Sequence, residues 1–159
     1  MASLSSENKL FWILFSLFAG ILVPPTAEVL ANLIAGKGSL AQAFTKVYSF
    51  SASEGFGIFA GQILWNLLPF WILALFLVVM RRKQTTQLLQ WVAICGVLGG
   101  FSVFLLAYVE AQHSIALRHW TAAALTTGFA PFFGVVGMLV GAVVGGIIGK
   151  GVRKTDRSA

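Results

Sequence analysis

The residues best suited to chemistry are few: Glu28, Gln62, Asn66, Glu110, Thr126 and Thr127, with His113, His119 and a single cysteine, Cys95. Glu28 interrupts an apolar run. A carboxylate held there could bind a cation, take up a proton or receive a basic group of a partner. Near the end of such a run the same carboxylate can instead reach lipid headgroups or pair with Lys37 or Lys46, and the sequence favours this plainer role. Gln62 and Asn66 suit interhelical hydrogen bonding better than ligation. Glu110, followed by Gln112 and His113, reads as the start of a loop. His113 and His119 stand beside Arg118 without the ligand company that a metal site needs.

Nothing here assembles a reaction centre. The only aspartate, Asp156, is in the tail, so a pair of intramembrane carboxylates is missing. HExxH, GxSxG and phosphate-cradling glycine loops are absent too. Cys95 lies alone in an apolar run, where a thiol serves as a small packing residue. Enzymatic activity, a metal and a cofactor are therefore not expected.

The elements that must position these residues follow from hydropathy. Of 159 residues, 58% are hydrophobic and only 10% charged. Such a chain cannot cover its surface in water, so lipid is its solvent. Four apolar runs, at about 10–30, 58–80, 88–109 and 126–149, each reach the ~20 residues that cross a hydrocarbon core. The expected fold is all-α: a polytopic membrane protein with a four-transmembrane-helix bundle, one domain over 1–159. Lys9 and the apolar stretch to Val23, with Val29-Leu30-Ala31 beyond, also have a signal-peptide pattern. Cleavage would leave three spans, and the first helix is expected to stay.

Four spans put both termini and the middle loop on one side. That side holds Lys9, Arg81, Arg82, Lys83, Lys150, Arg153, Lys154 and Arg157, against Lys37, Lys46 and Arg118 on the other, eight to three. The excess marks the cytoplasmic face. The same scatter of basic groups at span ends is topology and not a phosphate-binding stripe, so nucleic acid is not an expected partner. A cytoplasmic (inner) membrane is the default for helical spans. In the outer loop Ser39 and Gln42 have capping-box spacing, and Leu40, Phe44, Val47 and Tyr48 share a helical face. A short amphipathic helix is expected at about 40–50. Ser51 and Glu54 form a second capping box before the second span. The tail, 150–159, is polar and expected to fray.

Small residues mark where helices approach closely. Gly137, Gly141, Gly145 and Gly149 recur every fourth residue, a glycine zipper, and Gly96 and Gly100 lie on the third span. Counted at ~1.5 Å per residue from the cytoplasmic ends, Gly96 matches Gly141 in depth and Gly100 matches Gly137. Spans three and four should cross there, unless the stripe faces another subunit. Polar groups gather in the opposite half: Gln62 and Asn66 lie ~6 and ~12 Å inside the second span. Glu28, Glu110, Thr126 and Thr127 cluster at the span ends. Pro24, Pro25, Pro69 and Pro131 free backbone carbonyls in the spans. Together they suggest an outward polar recess.

The expected function is that of a non-catalytic accessory, assembly or scaffold subunit of a membrane complex. Its partners would be lipids and other subunits, or copies of itself through the glycine stripes. The alternative is a small oligomeric transporter or channel component using the recess around Glu28 and Asn66.

Overall fold

The computed structural model describes residues 2–53, 56–82 and 84–155, and side chains over 8–47, 61, 63–82 and 84–152. Five helices follow in order: α1 (Ala2–Ile34), α2 (Leu40–Ser53), α3 (Phe56–Met80), α4 (Thr86–Ala116) and α5 (Trp120–Thr155). All except α2 are long and apolar enough to cross a bilayer. The chain is an all-α, four-span bundle with a short amphipathic helix at one end. A helix satisfies its own backbone groups, which lipid cannot. For the same reason α1, α3 and α5 run unbroken through Pro24, Pro25, Pro69 and Pro131.

The helices outlast the apolar runs. α4 continues to Ala116, so Gln112 and His113 are helical rather than loop, and α5 runs from Trp120 through Lys150 to Thr155, where fraying was expected. α1 likewise begins well before Leu10, and α2 ends at Ser53. The physical reason is that charge forbids burial in lipid but does not end a helix; caps do. Two such caps are visible. After α1, Gly36 N–H donates to the Leu33 carbonyl and Lys37 N–H to the Asn32 carbonyl, with Gly36 at φ 67°. After α4, Arg118 and His119 make the equivalent bonds to Ile115 and Ser114, with Arg118 at φ 61°. Both are Schellman motifs, one with the usual glycine and one with an arginine in its place. Thr85 caps the start of α4, its side chain accepting from Leu88 N–H. Of the second capping box, Glu54 falls outside the described residues.

The spans pack antiparallel in sequence order. At one end, the terminal end, Lys9 Nζ donates to the Arg81 carbonyl at 3.2 Å, joining the start of α1 to the end of α3. The other, the connection end, carries α2 and the turn at 117–119. α1 packs on α3 and α4, and α5 on α3 and α4, while no Cα of α1 comes within 8 Å of α5. The middle is filled by Phe70 and Phe104, fully buried and stacked with centroids 6.2 Å apart.

The closest approach joins α4 and α5 along four turns. A Cβ at Gly137 would lie 2.6 Å from the Gly99 carbonyl oxygen, and one at Gly99 would meet the Gly137 carbonyl. Farther along, a Cβ at Gly141 would fall on the Cys95 carbonyl and one at Gly145 on the Trp91 carbonyl; Gly149 lies against Leu88. Here backbone touches backbone. Gly96 has Leu73 of α3 before it, and Gly100 has the Met138 side chain of α5. The residue opposite Gly137 is thus Gly99, which the depth matching did not name. Depth gives the level along a helix and says nothing of its rotation.

Candidate functional site: a polar cluster at the connection end

The cap that ends α1 also aims its next residue. Lys37 leaves the Schellman turn toward α4 and donates from Nζ to Gln112 Oε1 at 2.6 Å. Partial burial holds the Lys37 ammonium below the ordinary lysine range, and Lys46 pushes the same way. α2 starts at a reciprocal cap: Ser39 N–H donates to Gln42 Oε1 at 2.9 Å, and Gln42 N–H to Ser39 Oγ at 3.4 Å. Its buried face, Ala43 and Val47, packs on Val29 and Leu33 of α1. Lys46, one residue before Val47, thereby comes within electrostatic reach of Glu28.

Below this rim three spans contribute one polar group each. Glu28 of α1 and Asn66 of α3 are half-buried, and the buried Tyr108 phenol of α4 lies within electrostatic reach of both. One turn beyond Glu28, Asn32 is 1% exposed. Its Nδ2 donates to the Glu28 carbonyl at 2.9 Å, while its Oδ1 has no hydrogen-bond partner. Glu28, Asn66 and Tyr108 thus sit at one level inside the bundle within electrostatic reach of Tyr108, with Asn32 a turn away from Glu28 along α1.

Other candidates lie elsewhere. Glu110 is exposed on α4, and His113 and His119 are exposed as well. Thr126 Oγ1 donates to the Ala122 carbonyl and Thr127 Oγ1 to those of Ala123 and Ala124, so each is bonded within α5. Gln62 belongs to α3, but its side chain lies outside the described ones. No group of three or more histidine, cysteine or acidic side chains gathers as a metal site among the described residues. Trp65 Nε1 donates to the Gly128 carbonyl at 3.0 Å, and its ring meets Phe132 edge-on. That bond ties α3 to α5 near the carbonyl freed by Pro131.

Sequence reasoning singled out neither Tyr108 nor Asn32. For Tyr108 the signal was depth: counted from the true end of α4 at Ala116, it lies ~12 Å inside, near the level of Asn66. Asn32 was readable as Glu28 plus one turn.

Four bilayer-crossing helices with a polar cluster between three of them define a multi-pass integral membrane protein. Comparison with protein-family models, curated proteins and solved structures gives no match.

Proposed function

We propose that the protein is a non-catalytic subunit of a membrane complex, an accessory or assembly component that offers its apolar flank to a partner helix. The observation that carries this reading is how the polar groups are used. Lys37 bonds Gln112 and Trp65 bonds Gly128, which ties one segment of the chain to another, while both threonines bond their own helix. The first two act as glue between segments, and the threonines are spent within α5. The glycine stripe is likewise occupied within the chain. Among the surfaces left for a partner is the flank of α5 that carries Phe133, Val136 and Val140, exposed and beyond the reach of α1.

The orientation belongs to the same proposal. Lys9, Arg81, Arg82 and Lys150 lie at the terminal end, which supports placing both termini on the cytoplasmic side of an inner membrane.

One observation favours a second reading. The unmatched Oδ1 of Asn32, one turn from Glu28, is an acceptor that a small cation, a proton carrier or a water would satisfy. On that reading the chain is part of an oligomeric transporter. Extraction in a mild detergent followed by mass measurement separates the two. Foreign subunits that leave when Val140→Lys is introduced support the accessory role. A homo-oligomer whose flux in liposomes depends on Glu28 overturns it.

A further inference from the structure

The terminal end of the bundle is open on one side. α3 and α5 touch at Pro69 and Gly134, where a Cβ on Gly134 would lie 3.1 Å from the proline ring. Nearer the terminal end they leave between them a cleft of about 450 Å³ whose floor is the start of α4. Phe76, Met80, Leu88, Leu139 and Val143 make its walls hydrocarbon. Gly146 also lines it, and a Cβ there would meet nothing within 4 Å.

Its polar lining groups are Gln84 and Lys150, both at the terminal mouth. From Leu139 to Lys150 is ~16 Å along α5 at 1.5 Å per residue. Arg81 and Arg82, exposed just before Gln84, add positive charge there. Glu28 and Glu110 are at the opposite end of the bundle. At the terminal end the sequence sets Glu7 and Asp156 against Lys9, Arg81, Arg82, Lys83, Lys150, Arg153, Lys154 and Arg157, so positive charge prevails. An occupant must therefore be oily for most of its length and anionic at one tip. A helix of that length, 10 Å across, needs roughly 1,200 Å³ and would not enter.

We propose that this cleft holds an anionic phospholipid, with one acyl chain between α3 and α5 and its phosphate on Lys150. A basic pocket between spans, open to the bilayer, is suited to such a headgroup. The proposal does not depend on which side of the membrane the terminal end faces.

The test uses the full chain, delipidated in detergent and studied by native mass spectrometry. It is titrated with phosphatidylglycerol or phosphatidylcholine of identical acyl chains. About tenfold tighter retention of phosphatidylglycerol is expected. Lys150→Gln should bring it down to the phosphatidylcholine level. Gly146→Leu should abolish retention of both lipids, because its side chain occupies the cleft. Gly128→Leu, also with nothing within 4 Å of its Cβ but at the connection end, should leave binding unchanged. Equal retention of the two lipids would overturn the proposal. So would a preference that survives Gly146→Leu, since surface charge alone would then hold the headgroup. Lys150→Gln alters one exposed side chain and decides the headgroup contact even if the filled variant does not assemble.

Discussion

Replacing Gly141 by alanine is the smallest change that tests the α4–α5 seam. The added Cβ would fall on the Cys95 carbonyl oxygen, 2.8 Å from its carbon and 3.1 Å from Gly96 Cα. Carbon atoms in contact prefer about 3.5–4.0 Å, so the two helices must part by roughly 0.5–1 Å. These are backbone atoms and no rotamer change can relieve them. Overpacking of this kind costs about 1–3 kcal/mol. Gly146→Ala is the control: it adds the same methyl to the same helix in open space, and alanine's helix preference adds at most about 1 kcal/mol of stability. Because the helix preference favours both variants alike, they should differ by about 1–3 kcal/mol in reversible SDS unfolding followed by tryptophan fluorescence. Gly145→Ala should cost about as much as Gly141→Ala, because its Cβ would lie 2.7 Å from the Trp91 carbonyl carbon. Combined, the two should cost less than their sum, since one displacement of α5 relieves both. Equal stability of Gly141→Ala and Gly146→Ala would refute the backbone contact.

Tyr108→Phe removes a buried phenol oxygen within electrostatic reach of Glu28 and Asn66 and should lower stability by about 0.6–1.7 kcal/mol in the same assay. No loss would mean that the phenol contributes nothing between the helices. Trp65→Phe keeps the ring against Phe132 but deletes the bond to the Gly128 carbonyl; about 0.5–1.5 kcal/mol should be lost, and an unchanged midpoint would count against that tie. Arg118→Gly should be neutral or stabilise by up to about 1 kcal/mol, because glycine holds φ 61° without strain. A clear loss would show that the arginine side chain contributes to the turn. The Lys37 amine should titrate below 10.5 by ¹³C NMR of the reductively methylated protein. Its folded value lies below its unfolded one, so this group's contribution to stability rises as pH climbs through the folded value toward 10.5. A titration at or above that value would contradict its burial.

Much of the architecture was legible because lipid leaves so few choices. Hydrophobic runs of bilayer length gave the four spans, and Ser39 with Gln42 gave the start of α2. Helix ends were legible only in part. Charge at Glu110 and Lys150 ends an apolar run without ending the helix, so hydropathy alone makes Tyr108 look shallow and Gln112 look like loop. In the glycine stripe, counting residues matched Gly141 with the level of Gly96. Gly141 does lie against Gly96, an added Cβ falling 3.1 Å from the Gly96 Cα, whereas Gly137 meets Gly99 and not Gly100, a distinction that depends on the rotation of α4. The cluster shows the same split. Glu28 and Asn66 stood out as polar letters in oily text, whereas Tyr108 and Asn32 acquire meaning only from what packs beside them.

The turn at 117–119 is short, and the glycine seam begins about five turns into each of the two helices it joins. The two carboxyl-terminal helices can therefore zip together as a hairpin soon after they enter the bilayer, with little loop entropy to overcome. The amino-terminal three helices would then dock onto a finished wedge. Lesions in the seam should strike early in biogenesis, producing degraded chains, whereas lesions near α1 should leave a persistent but loosely assembled protein.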